Sequence, residues 1–243
     1  MFSWFARRKV SATNPLLVDI HSHLLPGLDD GVKSLDESGQ LIREFETMGY
    51  RKLITTPHII SDSYRNTPEV ILSKLAELKS YLAEREINVQ VEAAAEYYLD
   101  EELVQSVEHS KPLLTFGTDY LLFETNFMVE PLNLKEFIFT LTTRGYKPVL
   151  AHPERYVFLQ QNPEKLEDLI NRGVLFQLNI NSLTGYYSKP AQTLARKLIE
   201  NKWIHFVGSD CHNISHLELM RQTLPTRLYQ KILSLPLLND SLG

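Results

Sequence analysis

Short apolar runs rich in β-branched residues alternate along this chain with longer segments whose apolar residues recur every three to four positions. The runs predict strands at 17–21, 52–56, 89–93, 120–123, 148–151, 175–178 and 205–208. The spacing between them predicts helices over 34–48, 67–85, 132–144, 163–171, 190–201 and 217–233. In the second of these, Val70, Ile71, Leu75, Leu78 and Leu82 form the stripe, and only Lys74 breaks it. Ser34 followed by Glu37 has the spacing of a capping box. Pro163 and Pro190 suit first helical turns, and Gly145 and Gly173 suit helix ends. Residues 62–68 and 179–189 read as loops. No Gly-, Ser- or Pro-rich linker and no internal repeat divides the chain. Seven strand–helix alternations in one stretch predict an α/β fold with a parallel sheet, open and doubly wound or closed into a barrel.

The polar residues follow the strands. The first strand runs into Asp19-Ile20-His21-Ser22-His23, the second into Thr55-Thr56-Pro57-His58, and the third leads to Ala94-Ala95-Glu96. The fourth ends in Phe123-Glu124, the fifth in Ala151-His152, and the last in Gly208-Ser209-Asp210-Cys211-His212. In a parallel α/β fold the C-terminal strand ends share one face, so these distant residues converge there. Residues i and i+2 of an extended chain point to one side, which aims His21 and His23 together, and Asp210 and His212 together, with Cys211 turned away. A single His-x-His pair is a weak signal, since each of these residues alone is more often a surface or satisfied buried group. Five of the eight histidines, however, stand at strand ends near Asp or Glu. His109, His205 and His216 fall outside the set and read as structural or surface residues. Carboxylates crowded into one pocket repel each other and resist desolvation, and divalent cations remove that conflict.

Composition narrows the reading. A chain of 243 residues fits one domain of barrel size. A net charge of −5 argues against bulk nucleic-acid binding, which needs many cations to replace counterions. Cys211 is the only cysteine, so there is no intrachain disulfide, as expected in a reducing cytoplasm. It also excludes cysteine-based tyrosine phosphatase chemistry, which needs Cys-x5-Arg, because Leu217 stands six residues on. Neither a phosphate-binding P-loop nor a dinucleotide glycine pattern is present. No run approaches the ~18 apolar residues of a membrane span. The N-terminal MFSWFARRKV offers Phe2, Trp4 and Phe5 followed by Arg7, Arg8 and Lys9, the composition of a weak membrane-surface contact.

The segments DIHSHLLPGLDDG (19–31), TTPH (55–58), AAAEYYLD (93–100), LLFE (121–124), LAHPERY (150–156), QLNINSLTG (177–185) and GSDCHN (208–213) together resemble the PHP-domain phosphoesterases, and within them the CpsB/YwqE-type bacterial tyrosine-protein phosphatases. The likeness covers about 18–213, which leaves 1–17 as an N-terminal extension before a PHP domain at 18–243. It implies a distorted seven-stranded (β/α)7 TIM-like barrel with three divalent metal ions, manganese or else zinc or iron. The implied ligands are His21, His23, Asp30, His58, Glu96, Glu124, His152, Asp210 and His212. By analogy one ion takes His21, His23, Glu96 and Asp210, a second shares Glu96 with Glu124 and His152, and a third takes Asp30, His58 and His212. After His212 the chain reads NISHLELMR, which lacks the arginine of the family pattern; Arg221 stands at a different place and is not counted on as its substitute.

Nitrogen and oxygen donors without thiolate suit manganese, zinc or iron. The expected reaction is hydrolysis of a phosphomonoester by metal-activated water. Arg155 is expected as a fork on the phosphoryl oxygens and Arg65 as a second clamp. Tyr64, Tyr97, Tyr98, Tyr156, Tyr186 and Tyr187 cluster where a phosphotyrosine ring could lie, with rim packing the expected role for most of them. The implied partner is the Tyr-rich tail of a bacterial tyrosine autokinase at the inner face of the membrane. Two other readings compete: another PHP activity, such as histidinol-phosphate phosphatase or nuclease, and a non-catalytic metal-binding module that docks a kinase.

Overall fold

The computed structural model describes residues 16–243. Its first half contains β1 (Val18–Asp19), α1 (Leu35–Thr47), β2 (Lys52–Thr55), β3 (His58–Ile59), α2 (Pro68–Glu84), β4 (Gln90–Ala93) and β5 (Glu96–Tyr98). Then come α3 (Glu101–Glu108), β6 (Tyr120–Glu124), α4 (Leu134–Thr143), β7 (Lys147–Ala151), α5 (Val157–Gln161) and α6 (Glu164–Asn171). β8 (Leu175–Asn179), α7 (Lys189–Glu200), β9 (Phe206–Gly208), α8 (Ile214–Thr223) and α9 (Arg227–Leu233) follow, with a 3₁₀ turn at Leu238–Leu242 after α9.

Every pair of named strands among the described residues is parallel. The strands form a three-stranded sheet, β1-β2-β4, and a six-stranded sheet, β3-β5-β6-β7-β8-β9. The surface curls. Ser22 and Cys211, beyond the ends of β1 and β9, form a parallel bridge, and the Ser209 amide donates to Asp19 at 2.7 Å. The strand count differs from the seven expected, because Thr56-Pro57 separates β2 from β3 and Ala94-Ala95 separates β4 from β5. Proline has no N–H for the ladder at the first of these breaks.

Side chains alternate across the strands with period two. Leu53, Leu121, Phe123, Leu150 and Val207 join the large cluster under the helices. Their neighbours Ile54, Leu122, Val149, Ala151 and Phe206 form a second cluster on the other face.

The helices follow their local signals, with exceptions. The Ser34 hydroxyl accepts from the Glu37 amide, but the Glu37 carboxylate takes the Lys33 N–H instead of that of Ser34, so the capping box is shifted by one residue. Thr67 caps α2, and Ile71, Leu75, Leu78 and Leu82 are buried. The helix expected over 217–233 is two helices. α8 starts earlier, capped by Asn213, and Pro225 lies in the break before Thr226 caps α9. The sequence reading missed α3, an eight-residue helix capped by Asp100, and the short α5. A 3₁₀ turn, Ile180–Thr184, occupies part of the expected loop at 179–189. No helix among the described residues is long and apolar enough to cross a membrane. The expected contact through Phe2, Trp4 and Phe5 lies outside the described residues.

Candidate metal centre

β1 continues as extended chain, and its alternation sends His21 and His23 to one side, with no exposed surface on either. Each imidazole is held from behind. His21 Nδ1 lies 2.8 Å from Gln177 Oε1, and His23 Nδ1 lies 2.7 Å from Asp29 Oδ2. Gln177 sits on β8 and Asp29 in the loop after His23. That loop returns tightly: a Cβ at Gly31 would meet the His23 carbonyl oxygen at 2.3 Å. With Nδ1 occupied, both rings face forward with Nε2, and the two Nε2 atoms are 3.4 Å apart.

Two carboxylates meet these nitrogens. Glu96 Oε2, at the start of β5, is 3.1 Å from His21 Nε2 and 3.5 Å from His23 Nε2. Asp210 Oδ1, just past β9, is 3.5 Å and 3.4 Å from the same atoms. Glu96 extends the cluster through Oε1, 3.0 Å from His152 Nε2 after β7. Glu124, at the end of β6, stands 4.0 Å from His152 Nε2 and 3.3 Å from His58 Nδ1. On the other side Asp30 Oδ1 lies 3.6 Å from His58 Nε2 and 3.3 Å from His212 Nε2. The structure thus brings all nine residues singled out in the sequence around one site. His23, Asp30, His58 and His212 form one group whose donor atoms all lie within 4.8 Å of one another; His21, His23 and Glu96 form a second, and His58, Glu96 and Glu124 a third. His58 therefore faces two groups, and the analogy had placed it in only one.

The spacing has a chemical meaning. Bonds of about 2.0–2.1 Å from one cation put neighbouring donor atoms about 2.9–3.4 Å apart at octahedral to tetrahedral angles. Most of the nitrogen–oxygen distances here fall in or near that range; Glu124 to His152, at 4.0 Å, is longer. His58 Nδ1 and His152 Nδ1 are buried without a hydrogen bond. The backbone is strained at two members of the set, His152 (φ 35°) and Asp210 (φ 50°), both in the left-handed region.

Charge is unbalanced inside the site. Burial opposes a negative charge on Glu96, yet His21 and His58 outweigh it and hold the carboxyl well below its usual range. Asp210 is likewise held well below against burial, first by His21. Burial and then the nearby Glu96 push Glu124 well above the ordinary range. Burial opposes a proton on His21 and His23, but the carboxylates beside them raise both. Burial, with Arg155 second, pushes His152 down to about 4. The pocket calls for positive charge near its carboxylates.

These groups open into a cavity of about 360 Å³ lined by Asp30, His58, Glu96, Glu124, His152, Asp210 and His212, with Phe127, Arg155, Tyr187, Asn213 and His216. His21 and His23 lie beneath it. Arg155 reaches the rim from the 3₁₀ turn after β7, and its Nη1 donates to Asp210 Oδ2 at 2.9 Å. Its guanidinium lies between the rings of Phe127 (4.7 Å) and Tyr187 (4.2 Å). Arg65, expected as a second clamp, is exposed, donates through Nε to Ser61 O, and does not line the cavity. Arg221 pairs with Glu44 on α1, away from the cavity.

Some expectations for single residues change. His216, read as structural or surface, lines the cavity, with Nδ1 3.0 Å from Asp210 O. Of the six tyrosines only Tyr187 lines the cavity, while Tyr64 stacks on His58 at 5.6 Å. Tyr97 follows Glu96 on the strand and so points to the opposite face, where its hydroxyl accepts from Leu114 N. Tyr156 is fully buried beneath Phe127. The sequence reading missed Asp29, Gln177, Asn179 and Phe127. The Gln-Leu-Asn alternation on β8 carried a signal: Gln177 Nε2 donates to Asn179 Oδ1, and Asn179 Nδ2 donates to Asp210 Oδ2 at 2.7 Å.

Comparison with known proteins agrees with this geometry. A family profile described as capsular polysaccharide synthesis, CpsB/CapC, matches residues 17–223. The chain is 32% identical over 198 residues to the tyrosine-protein phosphatase YwqE of Bacillus subtilis, covering 82% of this chain and 78% of that one. It is 27% identical over 203 residues to the tyrosine-protein phosphatase CpsB of Streptococcus agalactiae, covering 82% and 84%. Among solved structures it is similar, with a TM-score of 0.77 and 30% identity over 88% of this chain and 90% of the other, to one from a study of YwqE from Bacillus subtilis and CpsB from Streptococcus pneumoniae, described as unique metal-dependent tyrosine phosphatases. With a profile matched along most of its length, the chain belongs to the CpsB/CapC family of capsular polysaccharide synthesis proteins.

Proposed function

We infer that the chain is a metal-dependent tyrosine-protein phosphatase, a phosphoric monoester hydrolase tied to capsule synthesis. The observation that carries this reading is the ring of imidazole and carboxylate donors at cation-ligand spacing under one open cavity.

We propose three divalent cations, manganese or else zinc or iron. His21, His23, Glu96 and Asp210 would hold one, and Asp30, His58 and His212 a second. Glu96, Glu124 and His152 would hold the third. Support comes from the donor spacing and a donor set without sulfur. Bound there, the cations would supply Lewis acidity toward water and the phosphoryl oxygens.

The chain's own residues prepare the site. Asp29 and Gln177 engage Nδ1 of His23 and His21, which directs each Nε2 inward. Arg155 presents N–H donors at the rim, and the flanking rings of Phe127 and Tyr187 fix its plane, a fork suited to phosphoryl oxygens. Phe127 and Tyr156 cover the back of His152 against water.

We further propose that 18–243 is one PHP domain preceded by an extension at 1–17. Counting β2 with β3 and β4 with β5 as single interrupted strands gives seven positions of a (β/α)7 barrel, a reading the Ser22–Cys211 bridge supports. The phosphotyrosine protein we propose is a bacterial tyrosine autokinase, met at the inner face of the membrane.

The test is elemental analysis of the purified protein together with turnover of a phosphotyrosine peptide, histidinol phosphate and a DNA 3′ end in Mn2+. Preference for the peptide, lost in His21→Ala and His152→Ala, is expected. A metal-free protein without phosphatase activity after reloading refutes the reading, and faster turnover of histidinol phosphate or DNA reassigns the substrate.

A further inference from the structure

Nine large apolar side chains among the described residues are exposed, and five of them stand on the three segments that give Phe127, Tyr187 and Asn213 to the wall of the metal-centre cavity. Met128, Val129 and Leu132 stand in the loop after β6, exposed by 63%, 67% and 106%. That loop also supplies Phe127 to the cavity wall. On segments lining other parts of the cavity, Tyr186 and Ile214 are exposed by 54% and 38%. Tyr186 meets the cavity residues Tyr187, ring to ring at 5.0 Å, and His216, through its hydroxyl at 3.3 Å. Ile214 follows the cavity residue Asn213 at the start of α8.

The exposure is built in. Asn126 Oδ1 accepts from the amides of Met128 and Val129 at 2.9 and 3.0 Å, and Phe127 O accepts from Val157 N at 2.7 Å. Glu130 is paired with Lys165 on α6. The loop backbone is thus tied down while its apolar side chains face outward. Exposed apolar surface collected around a polar pocket marks a place where another apolar surface is to be covered.

A small phosphomonoester fits inside the cavity and gains nothing from side chains outside it. A polypeptide whose phosphotyrosine enters the cavity must leave the mouth in both directions. We propose that Met128, Val129, Leu132, Tyr186 and Ile214 form an apolar collar that grips the chain on either side of the phosphotyrosine and selects apolar neighbours there. This rests on the phosphatase reading above and adds its specificity. Burying two or three such side chains is worth roughly tenfold or more in kcat/KM.

The test uses the full chain in Mn2+ with three substrates: p-nitrophenyl phosphate, a phosphotyrosine peptide flanked by Leu, Val and Ile, and the same peptide flanked by Ser. The wild type should favour the apolar peptide by about tenfold. The triple variant Met128→Ser, Val129→Ser, Leu132→Ser, and Ile214→Ser separately, should each erase most of that preference through KM. Both should hydrolyse p-nitrophenyl phosphate at the wild-type rate, which also reports that they are folded. Equal rates on the two peptides in the wild type overturn the collar. So do variants that slow all three substrates alike, or a wild-type dimer that the triple variant makes monomeric, since a second copy would then cover the surface. Absence of hydrolysis of any substrate by metal-loaded protein refutes the phosphatase reading itself, and the collar with it.

Discussion

Arg155 and Asp210 are joined at the cavity rim, with Nη1 2.9 Å from Oδ2, while the other oxygen of Asp210 faces His21 and His23. One carboxylate thus links the buried donor cluster to the guanidinium that meets solvent. Asn179 and Tyr187 also bond Oδ2, so Asp210 keeps two partners when Arg155 is removed.

Arg155→Ala should therefore lower kcat/KM on a phosphotyrosine peptide by about 10²- to 10³-fold with little change in metal content. Arg155→Lys should recover little of it, because a point charge cannot reproduce the planar fork. Steady-state kinetics with elemental analysis would check this. A fully active Arg155→Lys would remove the bidentate role.

Gln177 engages His21 Nδ1 and also accepts from the His152 amide. Gln177→Ala should free the His21 ring and leave the His152 amide without its acceptor, and so weaken Mn2+ affinity by about 10- to 100-fold. Titration of metal into stripped protein would measure it, with circular dichroism to show that the fold survives. Unchanged affinity would mean that Gln177 serves packing alone.

Chelation should lower the melting temperature as well as abolish turnover. Without cations the pocket keeps Glu96, Glu124 and Asp210 within one buried cluster, and their repulsion acts against the fold. A cation held at 100 times its dissociation constant adds about 2.7 kcal/mol of stability. Differential scanning calorimetry with EDTA, and again after Mn2+ is restored, should show the loss and its recovery. Identical melting curves would contradict the site.

His205, at the base of β9, accepts the Phe176 N–H through Nδ1 at 3.0 Å, and burial lowers its pKa. A lowered pKa in the fold gives stability that is present above about pH 6.5, the unfolded value, and is lost as pH falls through the folded value. His205→Asn keeps an acceptor but does not titrate. Its melting temperature should fall less than that of the wild type between pH 7 and pH 5. Parallel curves would show that this imidazole is not the cause.

The residue types at strand ends were legible because a parallel fold turns sequence order into a shared face, and because i and i+2 point together. That logic found His21, His23, Glu96, His152 and Asp210. It could not separate Asp29 from Asp30, since adjacent acids look alike in sequence. In the structure Asp29 is buried behind His23 while Asp30 faces His212 across the cavity. Gln177 and Asn179 were read only as part of a motif, because amides give no charge signal. The break at Pro225 was missed because an apolar period continues across it. The breaks at Thr56-Pro57 and Ala94-Ala95 depend on how neighbouring strands curl, which local periodicity does not encode.

Cys211 lies between two proposed ligands yet is fully buried on the helix side of the sheet, and burial pushes its thiol well above the usual range. Peroxide and alkylating agents attack accessible thiolates, so at neutral pH they find no sulfur nucleophile in this cavity. Hydrolysis of phosphotyrosine here should persist under an oxidative burst that silences thiol-dependent phosphatases, and iodoacetamide should leave turnover intact. With manganese or zinc bound, signals written by tyrosine kinases would then be erased on a schedule set by metal supply instead of thiol oxidation.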